Sequence, residues 1–134
     1  MKLRIKGNSI RLRLGQSEVR QLMAEGRVEE FTDFGPSKEQ QFGYALHATF
    51  EDANVIAGYA DNRMVVRVPV EVIHQWAETD QVSIHARQRT SNKGELRILI
   101  EKDFECIDAP SDEPQEDAFP NPHVSASCAP ATNE

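Results

Sequence analysis

The chain has 134 residues, 39% of them hydrophobic and 28% charged, with a net charge of −7. That length suits one domain that buries a core without help from metal or disulfides. No apolar run reaches the length of a membrane span, the opening Met1–Lys6 alternates charged and apolar residues unlike a secretory signal, and two cysteines make no disulfide framework, so a cytoplasmic setting is expected.

The charge is unevenly spread. Residues 1–28 sum to +5, residues 29–102 to −4, and residues 103–134, which contain no Lys or Arg, to −8. The acidity therefore belongs largely to the carboxyl-terminal end.

In chain order, residues 2–6 and 9–14 alternate strictly around Gly7-Asn8, a two-residue hairpin turn. This register places Ile5 opposite Ile10, Leu3 opposite Leu12, Arg4 opposite Arg11 and Lys2 opposite Arg13, so one face of the ribbon is apolar. The other face carries five cations: Lys2, Arg4, Lys6, Arg11 and Arg13. A helix is expected over 16–25, with Gly15 as N-cap, Glu18 at the third helical position, a buried stripe of Val19, Leu22 and Met23, and Gly26 ending it. Strands follow at 28–34 and 42–50, the second with Phe42, Tyr44, Leu46, Ala48 and Phe50 on one face and His47 on the other.

The pattern then recurs. Shifting the chain by 54 residues lays Gly7-Asn8 on Asp61-Asn62 and Ile10–Leu14 on Met64–Val68 without a gap. Strands are expected near 55–60 and 63–68, a helix from Pro69 to about Glu78 burying Val72, Ile73, Trp76 and Ala77, and strands at 82–89 and 95–104. The body, residues 1–107, thus reads as a duplicated ββαββ unit, with repeats at 1–53 and 55–107. The fold class is α+β, a mainly antiparallel eight-stranded sheet or barrel with two helices. A single unit has too little core to stand alone, so the two must pack together. Residues 108–134 hold most of the carboxyl-terminal acid run and five of the seven prolines and lose all hydrophobic period, the composition of a disordered tail.

The opening Lys-Leu-Arg-Ile-Lys-Gly-Asn-Ser-Ile-Arg-Leu-Arg-Leu and the closing Glu101-Lys102-Asp103-Phe104-Glu105-Cys106, with Phe119-Pro120-Asn121-Pro122 beyond, resemble an uncharacterised bacterial family of small proteins, a domain of unknown function. The resemblance implies no activity. It implies that the tail belongs to the working protein.

The cationic ribbon is the sharpest candidate site. Its five cations could engage an anionic small molecule or protein partner, receive the acidic tail with Phe119 as apolar anchor and Asp117 beside it, or stand in solvent and blunt a sheet edge. Nucleic acid fits less well, because no aromatic residue interleaves with the cations. Cys106, His123 and Cys128 lack the paired spacing of a zinc site, so no metal and no cofactor is expected. The expected function is a small non-enzymatic binding module whose cationic face meets its own tail or an anionic partner. The alternative is a small enzyme acting on an anionic metabolite in a cleft between the repeats, with His47 or His85 as acid/base group and Arg11 or Arg13 as clamp. No membrane association is expected, and an uncovered edge strand would allow a homo-oligomer.

Overall fold

The computed structural model describes residues 1–104 and 119–120. Eight strands and two α-helices follow the order β1 (Lys2–Lys6), β2 (Ser9–Leu14), α1 (Gln16–Glu25), β3 (Arg27–Asp33), β4 (Gln41–Thr49), β5 (Ile56–Ala60), β6 (Arg63–Pro69), α2 (Val70–Glu78), β7 (Ser83–Arg89) and β8 (Glu95–Lys102). A short 3-10 turn, Lys38–Gln40, precedes β4.

Local chemistry accounts for the element ends. Gly7 holds φ +55° in the first hairpin turn, whereas Asp61 and Asn62 both take positive φ in its counterpart, the backbone that asparagine and aspartate tolerate best after glycine. At the start of α1 the Glu18 carboxylate accepts the Gly15 N–H at 3.0 Å, and at its end Gly26, at φ +82°, donates to the Leu22 carbonyl at 2.9 Å. Pro69 lies one place earlier than expected: it closes β6 and serves as N-cap of α2.

The α+β class holds, but the strands do not form one eight-stranded sheet or barrel. They form two four-stranded sheets, ordered β1-β2-β8-β7 and β3-β4-β6-β5. Each is mixed: two antiparallel hairpins meet at a central parallel pair, β2 with β8 and β4 with β6. The two halves of the chain are therefore interleaved, every sheet taking one hairpin from each. A helix separates the two hairpins of one half and carries the chain from one sheet to the other, so each hairpin finds its lateral partner in the other half.

The registers carry the same symmetry. Ser9 pairs with Arg97 and Leu14 with Lys102, while the positions displaced by 54, Arg63 with Gly43 and Val68 with Ala48, are also paired. The correspondence breaks at one strand. Val28 opposes Leu46, but Ile84, not Val82, opposes Ile100, so β7 is displaced by two further residues. Four residues, 79–82, intervene between α2 and β7 where Gly26 alone follows α1, and the later loop at 90–94 is correspondingly shorter. A two-residue change preserves which side chains face inward.

Inward-facing residues of both sheets and both helices form one hydrophobic cluster, with Leu12, Leu14, Leu46, Val66, Val68, Trp76 and Ile100 fully buried. Phe50, expected to continue the inward row of β4, lies past the strand end and is 91% exposed. The Trp76 indole N–H donates to the Val82 carbonyl at 2.9 Å. Lys102 points inward at the end of β8. Its ammonium donates to the Thr79 carbonyl at 2.8 Å, a favourable place for a cation at the carboxyl end of α2. It also lies 6.0 Å from the Trp76 ring centre and 5.5 Å from that of Phe119. Burial pulls the Lys102 pKa down, partly countered by Asp80.

At one margin the Met1 ammonium sits between the carboxylates of Glu18 and Glu30, while the Tyr44 hydroxyl donates to the Met1 carbonyl at 2.7 Å. Burial lowers the ammonium pKa, but the two carboxylates outweigh it and hold it above the ordinary 8.0. At the opposite margin, β5 and β7 belong to different sheets and are bridged by a side chain. The Gln88 carboxamide accepts the Ala57 N–H and donates to the Ala57 carbonyl, both at 2.7 Å, satisfying that residue as a neighbouring strand would.

Replacing Gln88 with Ala strands both polar groups of a buried residue and should cost about 1–3 kcal/mol in urea denaturation. Gln88→Glu keeps only the acceptor and should fall between. Equal midpoints for all three proteins would show that the clasp contributes nothing.

Candidate functional site

Strand alternation and the two registers assemble a lattice on the outward face of the first sheet. Its rows, read from β1 through β2 and β8 to β7, are Lys6-Ser9-Arg97-Arg87, then Arg4-Arg11-Leu99-His85, then Lys2-Arg13-Glu101-Ser83. Seven of these twelve residues are Lys or Arg, and Glu101 is the one acid. The five cations expected from the first hairpin lie here together. The sequence reading missed Arg87 and Arg97, because they join the ribbon only through the parallel β2–β8 pairing. The signal it could have used was the alternation of Arg87-Gln88-Arg89 and Arg97-Ile98-Leu99, which puts these cations on one face of the second hairpin.

The cations nearest the end of β8 are partly neutralised by the body itself. Glu101 lies 2.7 Å from Arg13 and 3.4 Å from Arg11, and Asp103 lies 3.1 Å from Lys2. In the row furthest from Asp103, Arg87 meets Glu95 at 3.3 Å with both side chains well exposed, and the Arg97 guanidinium has no ion pair among the described residues. A shallow groove of about 470 Å3 opens there, lined by Ser9, His85, Arg87, Arg97 and Leu99 among others. The His85 Nε2 lies 3.1 Å from the Ser83 hydroxyl.

The outward face of the second sheet is built on the same plan with different chemistry. Its corresponding rows are Ala60-Arg63-Gly43-Phe31, Gly58-Val65-Ala45-Glu29 and Ile56-Arg67-His47-Arg27. Here the central cations are met locally. The Glu29 carboxylate lies 2.9 Å from Arg63 and 3.4 Å from His47, and Asp52 lies 2.9 Å from Arg67. The Arg63 guanidinium also stacks over the Phe31 ring at 5.5 Å. That ring rests on Gly43, where a Cβ would come within 2.8 Å of it. The Arg63 Nε is buried without a hydrogen-bond partner among the described residues. Burial raises the Glu29 pKa, but hydrogen bonds from His47 and Arg63 and the charges of Arg63 and Arg27 more than reverse this, leaving it below its ordinary 4.5.

His47 and His85, the expected acid/base alternatives, thus lie on the outward faces of different sheets. Among the described residues the halves interleave, so the expected cleft has no boundary between two separate copies to follow. His74 lies on α2, 3.5 Å from Glu78. The Phe119 ring packs edge-on against Phe104 at 5.9 Å, and its N–H donates to the Asp103 carbonyl at 2.8 Å. Asp117, Cys106, His123 and Cys128 lie outside the described residues. Among the described residues no group of three or more His, Cys, Asp or Glu side chains is placed to hold a metal, and no helix is long and apolar enough to cross a membrane.

The depressed pKa of Glu29 carries a sign. Its contribution to stability is fully present above pH 4.5 and is lost as pH falls through the lowered folded-state value. Glu29→Gln should therefore lower the urea midpoint at pH 7, and the gap from the parent protein should close in strong acid. A gap that persists unchanged at low pH would assign the loss to something other than this charge.

A family model covers residues 1–123 of the chain, and its description is a family of unknown function, DUF7009. Neither a curated protein nor a solved structure matches the chain. The chain belongs to that family of unknown function.

Proposed function

We propose that this member of a family without an assigned activity is a small binding module, not an enzyme, and that the outward face of its first sheet engages an anionic partner in the cytoplasm. The observation that carries this reading is the lattice of seven cations across four strands, met by Glu101 within it and by Asp103 and Glu95 at its ends. Three of its cross-strand pairs, Lys2 with Arg13, Arg4 with Arg11 and Arg87 with Arg97, set like charges directly opposite, an arrangement that destabilises a sheet unless anions offset it. The matching face of the second sheet supports the reading by contrast, since its corresponding rows hold three arginines where those of the first sheet hold seven lysines and arginines.

The lattice contains no Phe, Tyr or Trp, so it lacks the broad stacking surface of single-strand nucleic-acid binders. An acidic protein segment or an anionic small molecule fits better. Residues 108–134, with six acids and no Lys or Arg, act in this proposal as a built-in competitor for the same face. The repeated ββαββ order is read as a duplication, after which one sheet face kept its charges balanced and the other became a binding surface.

Retention on heparin provides the test. A chain of net charge −7 should be held at low salt only if its cations are concentrated on one face. Changing Arg4, Arg11 and Arg13 together to Ser should bring elution to much lower salt, and removing residues 108–134 should delay it. Changing Arg27 and Arg67 to Ser, on the other sheet, should matter far less. A parent protein that flows through at low salt, or equal losses from both sets of changes, would overturn the proposal.

A further inference from the structure

We infer that the groove at the Ser9–Arg97–Arg87 row is a discrete site for the phosphate of a small phosphomonoester. This rests on the reading of the first sheet as an anion-binding face and narrows it to one end of that face. Arg87 and Arg97 are directly opposite on antiparallel strands, where neighbouring Cβ atoms lie about 5 Å apart. Arg97 meets no carboxylate among the described residues, and the Glu95 contact of Arg87 is solvent-exposed and easily exchanged. Ser9 is next to Arg97 in the parallel register, half-buried and on the groove wall. Lys6 completes the row on its far side.

The donor set selects the ligand. Two guanidinium forks and a hydroxyl together suit a tetrahedral dianion with three terminal oxygens, each fork taking a pair of oxygens. A planar carboxylate has only two oxygens to offer, and a phosphodiester carries one charge. Beside the donors lie Leu99 and the His85 ring, a partly apolar floor for the group esterified to the phosphate. The groove volume of about 470 Å3 falls within the range of small-molecule sites and leaves room for a compact substituent.

The test is a titration of the full-length protein with phenyl phosphate, inorganic phosphate and a phosphoserine peptide at constant ionic strength, followed by backbone amide resonances. Phenyl phosphate should bind saturably, with shifts concentrated at Ser9, His85, Arg87 and Arg97. Arg97→Gln should weaken it by about tenfold or more, and Ser9→Ala by several-fold, as expected when charge-assisted and neutral hydrogen bonds are lost. Arg13→Gln, on the same face but outside the groove, should leave its affinity within about twofold. Non-saturating shifts spread along Lys2–Arg13, or equal weakening by Arg13→Gln, would overturn the discrete site while heparin retention kept the broader reading intact. A phosphoserine peptide binding far more tightly than phenyl phosphate would overturn the small-ligand identity. Loss of both phosphate binding and heparin retention would remove the two readings together.

Discussion

The parallel pairing of β2 with β8 and of β4 with β6 is the constraint from which the rest follows. Each half of the chain makes two hairpins held apart by a helix, so neither half builds a four-stranded sheet alone. Joining hairpins across the halves satisfies the backbone groups along both central seams and brings the apolar sides of both sheets onto one core. The buried residues Leu12 and Ile100, or Leu46 and Val66, are cross-strand neighbours only because of this exchange. Folding of one half is therefore bound to folding of the other.

The same seams set the chemistry of the surface. Positions displaced by 54 residues along the central strands occupy matching places on the two outward faces, which makes each a control for the other. On the second sheet, Glu29 sits between Arg63 and His47, and the Phe31 ring packs against Gly43 and the Arg63 guanidinium. On the first sheet the position matching Phe31 is Arg87 and that matching Gly43 is Arg97. One scaffold thus carries an outward face with three arginines and another with seven lysines and arginines, several of them met by Glu101, Asp103 and Glu95. The margins differ in the same way: one is held by the Met1 ammonium and two carboxylates, the other by the Gln88 carboxamide acting in place of a strand.

Much of the local structure was legible beforehand because it depends on short-range chemistry. The Gly7-Asn8 turn and strict alternation specify the β1–β2 register residue by residue, and Gly15, Glu18 and Gly26 delimit α1. That the chain belongs to a family of unknown function was likewise expected beforehand. The ungapped 54-residue offset matches the registers of the two central parallel pairs. It failed at β7, because a two-residue displacement offset by a shorter loop leaves total length and alternation unchanged, and so leaves no trace in a self-comparison. Half of the candidate site was visible as the cationic ribbon. The other half, Arg87 and Arg97, lies on a hairpin far along the chain and was not singled out.

What the amino-acid order determined by itself is the set of elements, the side of each strand that faces inward, and the antiparallel pairs joined by tight turns. What only the tertiary structure decided is which hairpin lies beside which, and hence that Ser9 and Arg97 share a row. The reason is physical. Alternating side chains encode the two faces of a strand, whereas its edges present the same N–H and C=O groups whatever the residue. Lateral partners are chosen by how the whole chain closes its core, and that choice placed the arginines of the second half beside the lysines and arginines of the first.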